Sequence, residues 1–116
     1  MAQIATTIEQ SEKLVKLGMN IDTADMHYWF DATYNEWELS PYPTKNNVEK
    51  VHAWSLGALI ELMPEYIDTY ELFRIEIRHE EIVYLNASSL LHVVYGEDIF
   101  ENCICMIEFL VKNEYI

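Results

Sequence analysis

The sequence predicts an α+β domain, an antiparallel sheet of about five strands with three helices, in the order α-β-β-α-β-β-β-α. Two groups of segments alternate apolar and polar residues with period 2, as strands with one wet face do. Three other segments repeat their apolar residues at helical spacing and open on capping residues. Strand groups separated by helices belong to folds in which helices cover one face of an antiparallel sheet. No stretch is linker-like, and residues 1–116 read as a single domain without an internal repeat.

The first helix is expected from Thr7 to Gly18. Thr7 can cap it, Gln10 completes a capping box, and Gly18 suits a left-handed stop. Glu9–Lys13 and Glu12–Lys16 place acid before base at i,i+4 on one face, and Ile8, Leu14, Val15 and Leu17 lie on the remainder.

Met26–Ala32 and Glu36–Tyr42 read as two strands joined by a turn near Thr33-Tyr34-Asn35. Tyr28 and Phe30 then oppose Trp29 across the first strand, and Trp37 and Leu39 oppose Glu36 and Glu38 across the second. Pro41 and Pro43 mark the second strand as an edge, because proline cannot donate to a further ladder. Thr44–His52 is polar and reads as a mobile loop.

Ser55 is the natural cap of a second helix over Leu56–Met63, with Trp54 placed to staple onto Leu59 and Pro64 as the stop. It carries one charge, Glu61, so it is expected to be the most buried element. Tyr70–Arg78 alternates Phe73, Ile75 and Ile77 with Arg74, Glu76 and Arg78. With Ile82–Leu85 and Leu90–Tyr95 it forms a meander that Gly96 ends. The last helix is expected from Asp98 to about Asn113, with Glu101 as the reciprocal cap. Its Cys105 and Phe109 fall toward the polar side.

The charge balance restricts the partners. Asp plus Glu number 20 against 7 Lys plus Arg, for a net charge of −13. Residues 1–58 hold 8 acids and 4 bases (−4), and residues 59–116 hold 12 and 3 (−9). Such a surface repels phosphate backbones, so direct binding of nucleic acid or anionic lipid is not expected. With 51% apolar residues the chain is not a disordered acidic tail. No apolar run approaches the ~18 residues of a membrane span, and the first residues lack the pattern of a signal peptide. Cys103 and Cys105 sit ~200° apart on a helix, which argues against a shared metal or a disulfide between them. A cytoplasmic location is therefore expected.

Three stretches carry a resemblance. They are Glu9-Gln10-Ser11-Glu12-Lys13-Leu14 running on to Thr23-Ala24-Asp25-Met26, then Ala53-Trp54-Ser55-Leu56-Gly57-Ala58-Leu59-Ile60-Glu61-Leu62-Met63-Pro64, and Asn113-Glu114-Tyr115-Ile116. Together they resemble a family of small uncharacterised proteins found in phages and prophages of gut bacteria. Asp31–His52 and the meander depart most from its pattern. The family has no established activity, so the resemblance implies a setting, an accessory protein of a mobile element, and no site residue.

No motif for catalysis, a cofactor or a metal emerges. Three isolated glycines form no phosphate loop, and no Gly-x-Ser-x-Gly elbow exists. His79-Glu80-Glu81 is not a zinc helix motif, and His27, His52, His79 and His92 are scattered singly. Asp22, Asp25 and Asp31 lack calcium-loop spacing.

The distinctive feature is aromatic. Tyr28, Trp29, Phe30, Tyr34, Trp37 and Tyr42 crowd into one hairpin, more rings than cross-strand packing in a one-sided sheet needs. With Phe109 they are the candidate interface, since Tyr and Trp gain most from burial against a partner. The sequence therefore points to a non-enzymatic interaction protein of a mobile element, expected to self-associate through these exposed aromatics as a homodimer or to bind another protein partner. One alternative is an inhibitor that mimics nucleic acid and occupies a basic groove of a host defence enzyme. A second is a small enzyme with an unrecognised carboxylate or histidine site.

Overall fold

A computed structural model describes residues 2–42 and 49–116. The described residues hold three α-helices and seven strands in two antiparallel sheets, an α+β arrangement. Residues through Ala58 form one compact unit and residues from Leu59 a second.

The first unit begins with α1 (Ile8–Lys16), and the capping box forms as the sequence requires. Gln10 N–H donates to Thr7 Oγ1 at 3.1 Å, and Gln10 Oε1 accepts Thr7 N–H at 3.0 Å. Gly18 adopts φ +94°, which lets Gly18 N–H reach Val15 O at 3.0 Å and Met19 N–H reach Leu14 O at 3.1 Å. Those two bonds close the helix as a Schellman motif. Leu14 and Ser11 are buried, whereas Val15 is exposed.

Three strands follow: β1 (Met26–Asp31), β2 (Glu36–Ser40) and β3 (Lys50–Ala53), in the order β2-β1-β3. The hairpin β1–β2 turns through Asn35 at φ +52°, with Thr33 N–H on Asp31 Oδ1 at 3.0 Å. β2 is an edge, as Pro41 indicates. The loop expected over residues 44–52 needs correction at its end, because Lys50–Ala53 pairs with β1 as β3. The rest of it, like the expectation for Pro43, lies outside the described residues.

The N-terminal segment is sewn onto this sheet by hydrogen bonds to Trp54. Ala5 bridges Ser55, and Thr6 N–H donates to Trp54 O at 2.8 Å. Trp54 N–H donates in return to Thr6 Oγ1 at 3.0 Å. Thr6 Oγ1 lies 2.8 Å from Ser11 Oγ, whose hydroxyl donates to Thr7 O at 2.8 Å. Ser11 spends its only proton on Thr7, so the Thr6 hydroxyl must donate to Ser11, and every group in this buried chain is satisfied. Trp54 is itself fully buried, its indole N–H held by Thr23 Oγ1 at 2.9 Å.

The chain passes from one unit to the other through α2 (Leu56–Leu62). It is not the most buried helix, since Ile60 and Glu61 are exposed. That place belongs to α3 (Ile99–Lys112), which buries Phe100, Cys103, Ile104, Met106, Ile107 and Leu110. Asp98 caps α3 through Phe100 N–H at 2.9 Å.

In the second unit a four-stranded sheet runs β4 (Tyr66–Asp68), β5 (Leu72–Ile77), β6 (Glu81–Leu85), β7 (Leu90–Tyr95). The sequence leaves open whether its five expected strands share one sheet; they divide between two sheets of three and four strands, with β3 and β4 added. Cross-strand partners share a face, so Ile75, Tyr84 and His92 project together, and Glu76, Val83 and Val93 project oppositely. α3 covers the first face, where Tyr84 OH also donates to Pro64 O at 2.7 Å. Gly96 ends β7 where Asn102 approaches closely; a Cβ there would lie 2.5 Å from Asn102 Oδ1.

Candidate functional site

The candidate surface is the β1–β2 hairpin, and its register decides which rings are available. Phe30 opposes Trp37 and Tyr28 opposes Leu39. Phe30 and Trp37 meet edge to face, with ring centroids 5.5 Å apart at 63°. Tyr28 OH donates to Thr6 O at 2.8 Å, so this ring serves the fold, and burial raises the pKa of its phenol. Trp29 is half-buried on the opposite face, in register with Glu38 and Lys50.

The rings left in water are at the hairpin tip and its far end. Tyr34 beside the turn is 71% exposed, Tyr42 after Pro41 is 74% exposed, and Trp37 is 36% exposed. The six rings divide accordingly: Tyr34, Trp37 and Tyr42 are open, while Tyr28, Trp29 and Phe30 are partly enclosed. Phe109 is occupied differently. In the second unit it stacks on His92 with centroids 3.9 Å apart and planes 4° from parallel, and Tyr115 closes on it at 6.0 Å.

His27 and His52 face each other across β1 and β3, a pairing their separation in sequence hides. His27 is buried, and its Nε2 has no hydrogen-bond partner among the described residues. Burial, helped by the nearby charges of Lys50 and His52, lowers its pKa. Burial also lowers the pKa of His92 under Phe109. Cys103 is buried in α3, where burial and then Asp98 push its thiol up to about 12. At neutral pH that sulfur is a protonated hydrophobe rather than a nucleophile.

The acidic second unit neutralises part of its own charge. Arg74 bonds Glu76 at 3.0 Å, and Arg78 bonds both Glu76 and Glu81, a ladder that runs over β5 and onto β6. Those two carboxylates raise the pKa of Arg78. An open cleft of about 640 Å³ lies beside it, lined by Arg78, His79, Glu80, Glu81, Tyr95 and Glu97. A second of about 410 Å³ is lined by Tyr66, Leu72, Arg74 and Leu85. Among the described residues no group of three or more His, Cys, Asp or Glu is placed to hold a metal ion. No helix among them is long and apolar enough to cross a membrane.

The sequence passed over apolar residues on the face of the second sheet opposite α3, where Val83 is buried but the strand ends are not. Tyr66, Leu72, Leu90 and Tyr95 are exposed apolar residues at its strands, with Tyr95 73% exposed. The alternation in β5 signalled a wet face, and the ends of β4 and β7 hold the apolar residues that it did not.

No family model, curated protein or solved structure matches this chain.

Proposed function

We propose that the protein is a non-enzymatic interaction protein that docks a protein partner through Tyr34, Trp37 and Tyr42 of the hairpin. The observation that carries this reading is the exposure of these three rings on one hairpin, away from the fold's own core. Aromatic side chains of this kind supply large contact area at low entropic cost, and they concentrate at the energetic centres of interfaces. The sequence resemblance implies the setting proposed for it, an accessory protein of a mobile element acting in a bacterial cytoplasm.

Charge mimicry of nucleic acid has less support. It needs carboxylates spaced along a continuous strip, and Glu76 and Glu81 are engaged by Arg74 and Arg78. Salt separates the two readings. Immobilised protein is exposed to bacterial lysate and washed at low and then high ionic strength, and the proteins still bound are identified. A partner held through aromatic rings stays bound at high salt. Retention only at low salt, by basic nucleic-acid enzymes, reverses the order of the two readings, because exposed charge contacts are screened within ~10 Å at 0.1 M salt.

A further inference from the structure

We propose that β7 is a self-pairing edge, through which two copies of the chain join antiparallel across a two-fold axis. The two four-stranded sheets then become one sheet of eight strands. This inference goes beyond the hairpin reading and stands without it.

Four strands among the described residues lie at sheet edges, and three of them are blunted. β2 carries Glu36 and Glu38 and is followed by Pro41. β3 has four residues and opens on Lys50. β4 has three residues and closes on Asp68. Charge, proline and shortness are the devices by which proteins keep edges from pairing. β7 has none of them: Leu90–Tyr95 is six residues long, without a charge or a proline. Its irregularity is confined to its start, opposite Leu85.

The hydrogen-bond phase of the sheet leaves β7 ready for a partner. Arg78 N–H bonds Glu81 O at 2.8 Å, so the odd-numbered residues of β6 bond to β5. Gly96 N–H bonds Glu80 O at 3.0 Å, so the even-numbered residues of β6 bond to β7. The bonded pairs across β6 and β7 are thus Ile82–Val94 and Tyr84–His92. Val93 and Tyr95 therefore turn N–H and C=O to the open edge, and their side chains lie on the face α3 does not cover.

A second copy satisfies these groups in one register. Antiparallel pairing that sets Val93 opposite Tyr95 of the second copy, and the reverse, joins both outward pairs in about four backbone hydrogen bonds. It uses only the regular part of β7 and is self-complementary, as a two-fold contact must be. Tyr95, 73% exposed in the single chain, then packs beside Val93 across the junction. Charge selects the same occupant. A chain of net charge −13 repels its copies over most surfaces, but β7 places no like charges against each other. An oppositely charged partner finds nothing on this strand to pair with.

Sedimentation velocity of the purified full chain, from about 1 µM to about 1 mM, reads the assembly directly. The expected result is a concentration-dependent dimer. Val93→Pro removes an outward N–H while leaving the β6 ladder intact, and it shifts the protein to monomer. Tyr95→Lys is the second variant, safe for the fold because its side chain is exposed, and it weakens the dimer at least tenfold by setting a lysine at each end of the junction. Trp37→Ser leaves the dimer unchanged, which separates this contact from the hairpin. A wild-type chain that stays monomeric throughout overturns the proposal, as do open-ended polymers. So does a dimer that survives Tyr95→Lys or dissolves in Trp37→Ser.

Discussion

Asp25 grips Ser55 with both carboxylate oxygens. Oδ1 accepts the Ser55 backbone N–H at 2.8 Å, and Oδ2 accepts the Ser55 hydroxyl. Ser55 Oγ in turn accepts Ala58 N–H at 3.2 Å, so the residue that caps α2 is itself held by the residue before β1. The sequence identified Ser55 as a cap. Its anchor, thirty residues earlier, is a tertiary fact.

Asp25→Ala is expected to destabilise the chain by about 1–2 kcal/mol, since it removes two acceptors and loosens the cap. Asp25→Asn costs less, because its amide can still accept from the Ser55 N–H and donate to the hydroxyl. Urea unfolding midpoints at constant slope measure both.

Trp54, Thr6 and Ser11 are fully buried, so breaking the hydrogen-bonded chain that links them strands polar groups. Thr6→Val keeps the shape but removes the hydroxyl that serves Trp54 and Ser11. A loss of about 1–3 kcal/mol follows. Ser11→Ala added to Thr6→Val costs less than the sum of the single changes, because the Ser11 acceptor is already unserved. A double-mutant cycle by denaturant unfolding checks this.

Stability falls as the solution is acidified through the histidine range. The folded chain holds His27 below its ordinary value of 6.5, chiefly by burial. Below about pH 6.5 the unfolded chain therefore takes up a proton that the folded chain resists, and unfolding is favoured. Above that pH both states are neutral and the effect vanishes. His27→Gln should reduce the difference in unfolding free energy between pH 8 and pH 5.5, leaving the share that His92 contributes, and an unchanged difference contradicts the assignment.

Phe109 is a structural residue of the second unit. Its stacking on His92 and contact with Tyr115 make Phe109→Ala a stability mutation, costing about 2 kcal/mol by thermal unfolding. Partner capture at a concentration where the variant remains folded should be unchanged.

Legibility followed the range of each interaction. α1 could be read because Thr7, Gln10 and Gly18 act within a few residues of one another, and the strands β1 and β2 and their two faces because their side chains alternate locally. β3 was lost because Lys50-Val51-His52-Ala53 is short and mixed, and β4 because three residues after Pro64 carry no period. The division into two sheets lies in pairings such as His27 with His52, which no local pattern encodes. The aromatic hairpin was visible as a cluster. Which rings are spent on the fold depended on Thr6, whose carbonyl takes Tyr28 from twenty-two residues away.

Tyr34 and Trp37 are proposed to serve a partner rather than the fold. Capture from bacterial lysate with wild-type protein and with Tyr34→Ser/Trp37→Ser, each checked by its unfolding free energy, tests it most directly. The expected variant lies within about 1.5 kcal/mol of wild type, the main loss being the Trp37–Phe30 contact, and no longer retains the salt-resistant partner. The same proteins retained by both forms would contradict it, as would a variant that unfolds because the rings belong to the core.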